Sequence, residues 1–441
     1  MVMADKLNMV REYIFGELSA GRLKGGDKLP GAREFSRRIG VSHAVTQMAF
    51  QSLARDGILN SIPRSGSFIR NDWKMQLIPD SFFTFRPFWA ELLEGRLPGG
   101  LNIHNSFNSG VFEIKTTAQA LQRRNEYMDL SGIFQEIYPD PDDFFVRPFA
   151  SFRTVSNGLF AIPLIFSPRV MCYNPEMLAD AGCPEPRSGW GWDEFIEDLI
   201  KLRRLHPAER IFNLCFDFSG ANFIFRAGGG FFDADGKTVR LDSPETMNGI
   251  AKVRQIYEAL DIHGQWPAEK FCRQDFYAGK CAFFMAPRQD VRFDAEYLWK
   301  CVPLPLIPGG TDVSLQSTDL LCVRRQGADL ETVREVVRLL LSTAVQDQLG
   351  TLKYGIPIRK SSAMNSFSPE DSRDAVFLSE MPKISAEFNF ESTEMLQLVF
   401  NGLHEIWLNG ADPETTVGDI ASALRTMVKY RNFSINKEAM K

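Results

Sequence analysis

The stretch that most restricts the fold of this 441-residue chain is LPGAREFSRRIGVSHAVTQMAFQSLARDGIL, residues 29–59. Two helix-length segments with apolar stripes stand there with only Gly40, Val41 and Ser42 between them. The first, about 31–39, turns Phe35 and Ile39 inward and leaves Arg33, Arg37 and Arg38 outward. Gly40 ends it, and Ser42 is a natural N-cap for the second, which runs to about Asp56. Thr46, Ala49, Phe50 and Leu53 form the inner face of that helix, so Ser42, His43 and Gln47 face out near its start. Upstream, Leu7, Val10, Ile14 and Leu18 recur at helical spacing, and GRLKGGDKLP breaks the helix they define. Downstream, GILNSIPRSGSFIR reads as two short strands around a Pro63–Gly66 turn.

Helix, helix, tight turn, helix, hairpin is the order of a winged helix-turn-helix. Its third helix enters the major groove by its N-terminal residues. The charge agrees. Residues 1–73 hold eleven Lys and Arg against seven Asp and Glu, a net of +4 in a chain that totals −5. A small basic head on an acidic body suits a polyanion binder with a second task.

GDKLPGAREFSRRIGVSHAVTQMAFQSLARDGIL, with SGSFI as its wing, resembles the GntR family of bacterial transcription regulators over about residues 5–70. The resemblance implies double-stranded operator DNA as partner. It assigns Arg33 to phosphate and residues 42–47 to bases. The outward Arg37 and Arg38, and Arg64, Ser65 and Gly66 of a hairpin that would lie on the flanking backbone, are further candidates for DNA contact. The chain departs from that family's pattern. Gly31 stands where Ser is usual, His43 and Gln47 where Arg is usual, and Val45 where Thr is usual. Arg forks onto guanine while Gln prefers adenine, and Val45 suits a thymine methyl, so the operator is expected to be less G-rich.

From Trp73 onward strands alternate with helices, which is an α/β pattern. FAIPLIFSPRVMCYNPEML, GCPEP with GWGWDEF, AGGGFFDADG, FYAGKCAFFM and GIPIRKSSA occur in that order. The series resembles extracellular solute-binding proteins of the carbohydrate-importer type over roughly 100–440. The implied fold is two α/β lobes closing on a ligand, like a periplasmic binding protein. The segment between about 84 and 106 looks short for the extra helix of that family. The expected domains are a DNA-binding head, 1–72, and a solute-binding-like effector domain, 73–441.

Family position nominates Phe166, Arg169, Asp217, Phe218, Arg226, Arg288, Gln289 and Asp319 as ligand residues in the cleft between the lobes. Arginine at 288, where Trp is common, suggests a polar or anionic ligand, with Arg169, Arg226 and Arg288 clamping a carboxylate or phosphate. A sugar or sugar acid is the expected effector.

Seven cysteines without CxxC spacing argue for reduced thiols, and the N-terminus lacks the apolar core of a signal peptide. The expected compartment is the cytoplasm, without membrane contact. Five scattered histidines form no metal pattern, and HExxH, GxSxG and Walker motifs are missing. No cofactor and no catalysis are expected. The resulting expectation is a ligand-responsive, homodimeric transcriptional regulator. The alternative is a DNA-binding protein whose body is a ligand-free dimerisation scaffold.

Overall fold

The computed structural model describes residues 3–19, 22–55, 57–63, 65–73, 81–104, 110–154, 157–213, 216–233, 238–264, 274–295, 297–325, 327–368, 370–385, 390 and 393–438. No described helix is long and apolar enough to cross a membrane.

The head forms as its spacing predicts. Helices α1 (Met3–Ser19), α2 (Ala32–Ile39) and α3 (His43–Arg55) precede β1 (Leu59–Ile62) and β2 (Gly66–Ile69), which pair antiparallel with Leu59 opposite Ile69. Gly40 caps α2 in the left-handed region at φ 76°, a conformation that a side chain resists. The Ser42 hydroxyl accepts from the Val45 amide at 3.3 Å and caps α3. Val10, Ile14 and Leu18 of α1, Phe35 of α2 and Ala49, Phe50 and Leu53 of α3 close one apolar core. Phe35 sits edge-on between Tyr13 and Phe50, with ring centres 5.6 and 5.2 Å away. Phe15 and Trp73 also belong to this core, and Trp73 is only 4% exposed. The side chain of Leu7 lies outside the described residues.

By contacts the chain divides into two units. One holds Met1–Pro141, Phe152–Leu164 and Asp319–Ser342, and the other holds Asp142–Ser151, Ile165–Thr318 and Thr343–Lys441.

In the first unit, beyond the head, β3 (Ser81–Thr84) runs parallel to both β4 (Asn102–His104) and β5 (Phe112–Thr116). Asp319–Val323 pairs antiparallel with β5, with Asp319 opposite Thr116. Between β3 and β4 the structure has a helix, α4 (Pro87–Leu93), where the sequence reads as too short for one. Pro87 starts it at a position that needs no amide hydrogen, and Trp89, Leu92 and Leu93 bury its inner face. Helix α5 (Thr117–Gln122) starts with a capping box between Thr116 and Gln119, and α6 (Ser131–Ile137) follows.

The second unit takes the last residues of β6 (Ile162–Ser167) and continues through β7 (Arg169–Tyr173), α7 (Pro175–Asp180) and α8 (Trp192–Arg203). Then come β8 (Phe212–Asn213), α9 (Phe216–Arg226), α10 (Pro244–Leu260), β9 (Phe283–Pro287), β10 (Lys300–Val302) and β11 (Ser314–Leu315). The sheet order is β10-β7-β9-β8, with β8 parallel to β9 and the other pairs antiparallel. Strands β7 and β9 are buried at every position, and apart from Arg169 at the start of β7 they read as apolar runs. Trp192, Phe195, Leu199 and Leu202 face the core from α8, where Trp192 and Phe195 meet Phe223 and Phe195 also meets Phe212 and Phe283. Cys172 and Cys301 stand opposite one another on β7 and β10 as free thiols.

Helices α9 and α10 touch backbone to backbone at Gly249. A Cβ there would lie 2.5 Å from the Ile224 Cα. Gly249→Val is therefore expected to force the two helices apart and lower stability by about 1–3 kcal/mol, the usual range for overpacking. The shift of the urea midpoint at constant slope measures it, and an unmoved midpoint would mean the helices separate freely.

Candidate nucleic-acid interface and ligand residues

Most of the polar residues nominated in the head are exposed. Arg33, Arg37 and Arg38 of α2 are exposed, and so are Ser42, His43 and Gln47 around the start of α3. The Arg38 guanidinium also lies 5.8 Å from the Tyr13 ring centre. Ser65 and Gly66 are exposed at the wing, while Arg64 lies outside the described residues. Gly66 has φ 116°, and a Cβ there would come within 3.0 Å of the Lys28 side chain. The positive φ favours glycine at this turn, and the Lys28 ammonium sits 5.7 Å from the Phe68 ring centre.

Val45 is corrected by the structure. It is 6% exposed and packs in the head core with Ala49 and Leu53, one and two turns further along α3. Its methyls are spent on packing and do not face a groove. The exposed side of α3 is instead His43, Ala44, Gln47, Met48 and Gln51.

In the body, the expected arginine clamp does not form. Arg226, the last residue of α9, is fully buried. It donates to the carbonyls of Leu304, Pro305 and Val313 at 2.8, 3.0 and 2.7 Å and to the Asp312 carboxylate at 2.9 Å. Arg288, also fully buried, donates to the Gly355 and Ser366 carbonyls at 2.6 and 2.9 Å and to Asp374 at 2.9 and 3.3 Å. It lies 4.7 Å from the Phe367 ring centre. Burial pulls both guanidiniums below their usual value, and Asp312 and Asp374 oppose that pull. A guanidinium has five donors. Four of the five are engaged on each of these side chains, so they bind their own chain.

Arg169 sits beside Arg288 because it pairs in register with Pro287. Its guanidinium donates to the Leu315 carbonyl at 2.9 Å and, more loosely, to that of Gln316. Gln289 donates to the Ser317 hydroxyl at 2.9 Å, and its buried carboxamide oxygen accepts nothing among the described residues. Arg169, Arg288 and Gln289 thus meet at one end of β7 and β9. Phe166 is buried edge-on against Phe145. The carboxylates and indoles that complete these buried networks come from far along the chain and have no local signature. Asp374 lies 86 residues from Arg288, and Trp89 lies 230 residues from Asp319, whose carboxylate accepts from its indole at 2.7 Å in the first unit. Asp217 and Phe218 lie in the first turn of α9, and their side chains are outside the described residues. The other six nominated residues are all at least nine-tenths buried.

The geometry defines a class: a winged helix-turn-helix head joined to an α/β body. Residues 109–347 match the family of bacterial extracellular solute-binding proteins, and the chain belongs to that family. Residues 6–69 match the bacterial regulatory proteins of the gntR family, so the head is a DNA-binding domain of that type. Solved structures share the body's fold. The GacH receptor of Streptomyces glaucescens, studied unliganded and with acarbose, is 16% identical at a TM-score of 0.65, over 79% of this chain and 98% of that one. UgpB from Mycobacterium tuberculosis, in complex with glycerophosphocholine, is 18% identical at 0.64, over 80% and 99%. A solute-binding protein from Thermotoga lettingae, bound to α-D-tagatose, is 12% identical at 0.65, over 79% and 99%. No curated protein matches the chain by sequence.

Proposed function

We propose that the chain is a cytoplasmic, ligand-responsive transcriptional regulator. Its head binds double-stranded operator DNA, and its body binds a carbohydrate or related small molecule that changes this binding. The observation that carries the reading is the fusion itself: a folded gntR-type head with an exposed α3 face, on a chain of the solute-binding family. The chain works as a homodimer, because paired heads meet paired half-sites and double the contacts. The likeness to proteins solved with acarbose and tagatose supports a sugar-class effector. The one solved with glycerophosphocholine extends the range to polar phosphate esters. Gln289, with an acceptor still open, is the body residue best suited to touch the effector.

A second reading has its own support. With six nominated side chains buried and two arginines committed to their own chain, the body serves as a scaffold that pairs heads.

Thermal unfolding against neutral sugars, acidic sugars and glycerophosphodiesters separates the two. A ligand at 100 times its dissociation constant is expected to add about 2.7 kcal/mol to the state that binds it. The shift should be selective, should shrink in Gln289→Ala, and should alter operator affinity. A flat response across the panel favours the scaffold.

A further inference from the structure

We propose that α3 reads an A·T-rich half-site through a face without Lys, Arg, Asp or Glu, with Gln47 and Gln51 addressing adenines and Ala44 and Met48 addressing thymine methyls. This rests on the DNA-binding reading of the head and specifies what that head recognises.

The burial pattern of α3 carries the inference. Val45, Thr46, Ala49, Phe50 and Leu53 are buried, and His43, Ala44, Gln47, Met48 and Gln51 are exposed. At 3.6 residues per turn these five exposed positions fall within an arc of about 140°. That arc carries no Lys, Arg, Asp or Glu. The first charged residue of the helix is Arg55, its last. Met48 is 42% exposed and so offers an apolar side chain on that arc. The head's cations stand elsewhere. Arg33, Arg37 and Arg38 lie on α2, and Lys28 lies against the wing. Cations there meet phosphates, which set register without reading sequence.

What remains for the bases is amide and methyl chemistry. A Gln carboxamide matches the N6 and N7 edge of adenine with two hydrogen bonds, an Arg fork matches guanine, and an apolar contact suits the thymine methyl. Gln47 and Gln51 are four residues apart on one row of the helix, so they are separated by about 6 Å along its axis. Base steps are about 3.4 Å apart, so the pair spans about two steps. Ala44 and Met48, also four apart, flank that row on one side. They fill the role that Val45, being buried, cannot.

The test is operator selection from random duplexes by the full-length protein and by Gln47→Ala, Gln51→Ala and Met48→Ala. All three positions are exposed, so the fold should be retained, and circular dichroism checks it. The wild type should enrich A·T at two positions about two steps apart. Each glutamine variant should lose about tenfold or more of the preference at one of them and keep the other, the scale of one bidentate contact. Met48→Ala should relax a thymine preference. Enrichment of G·C positions insensitive to Gln47 and Gln51 overturns the assignment while leaving DNA binding intact. Failure of the folded wild type to enrich any sequence overturns the DNA-binding reading and this inference together.

Discussion

Replacing Arg288 by alanine is expected to lower the stability of the protein by about 3–5 kcal/mol, because it strands a buried carboxylate. Asp374 is fully buried and takes the Arg288 guanidinium at 2.9 Å on one oxygen. Its other oxygen accepts from Lys353 at 2.7 Å, so some compensation survives and the loss should fall toward the lower end. The Gly355 and Ser366 carbonyls lose their donors in the same step. Denaturant unfolding of the full chain measures this. The outcome separates two roles for one residue. A ligand-gripping arginine would leave the midpoint unmoved and abolish effector binding, whereas an internal bolt moves the midpoint first. Asp374→Asn should be destabilising as well, since it leaves the guanidinium with one neutral partner in place of a charge.

The second large effect concerns the head. Changing Arg33, Arg37 and Arg38 together to alanine is expected to reduce operator affinity and its dependence on salt. If each arginine neutralises one phosphate, the slope of log affinity against log salt should become shallower by about 2.7. Base preference should not change, because phosphate contacts position without specifying. Fluorescence anisotropy of a labelled operator over a salt series gives the slope. An unchanged slope would place these arginines away from the backbone. All three side chains are exposed, so the fold should tolerate the change.

The head is legible in the sequence because its signals are local. Gly40, Ser42 and the apolar spacing of α3 each act within one turn of helix, and the structure follows them. Val45 departs from its expected place because family position points outward there while helical angle points inward. It stands in line with Ala49 and Leu53, both of which face the core. Helix α4 escapes a sequence reading because PFWAELL is only seven residues long and sits among prolines and glycines. In the body, motif order conveys the fold but not the task of each arginine. Arg226 and Arg288 are held by residues 78 to 87 and 67 to 86 positions away, and no window of sequence contains both ends. An arginine near a strand end reads the same whether it awaits a ligand or grips its own backbone.

Trp73 gives the head a property that a motif boundary hides. The gntR match stops at residue 69, yet the indole four positions later is part of what holds the three helices and the wing together. A head excised at the end of its motif would leave that core open on one side. Anyone who grafts this reader onto another sensor, or places a different reader on this one, should cut after the tryptophan.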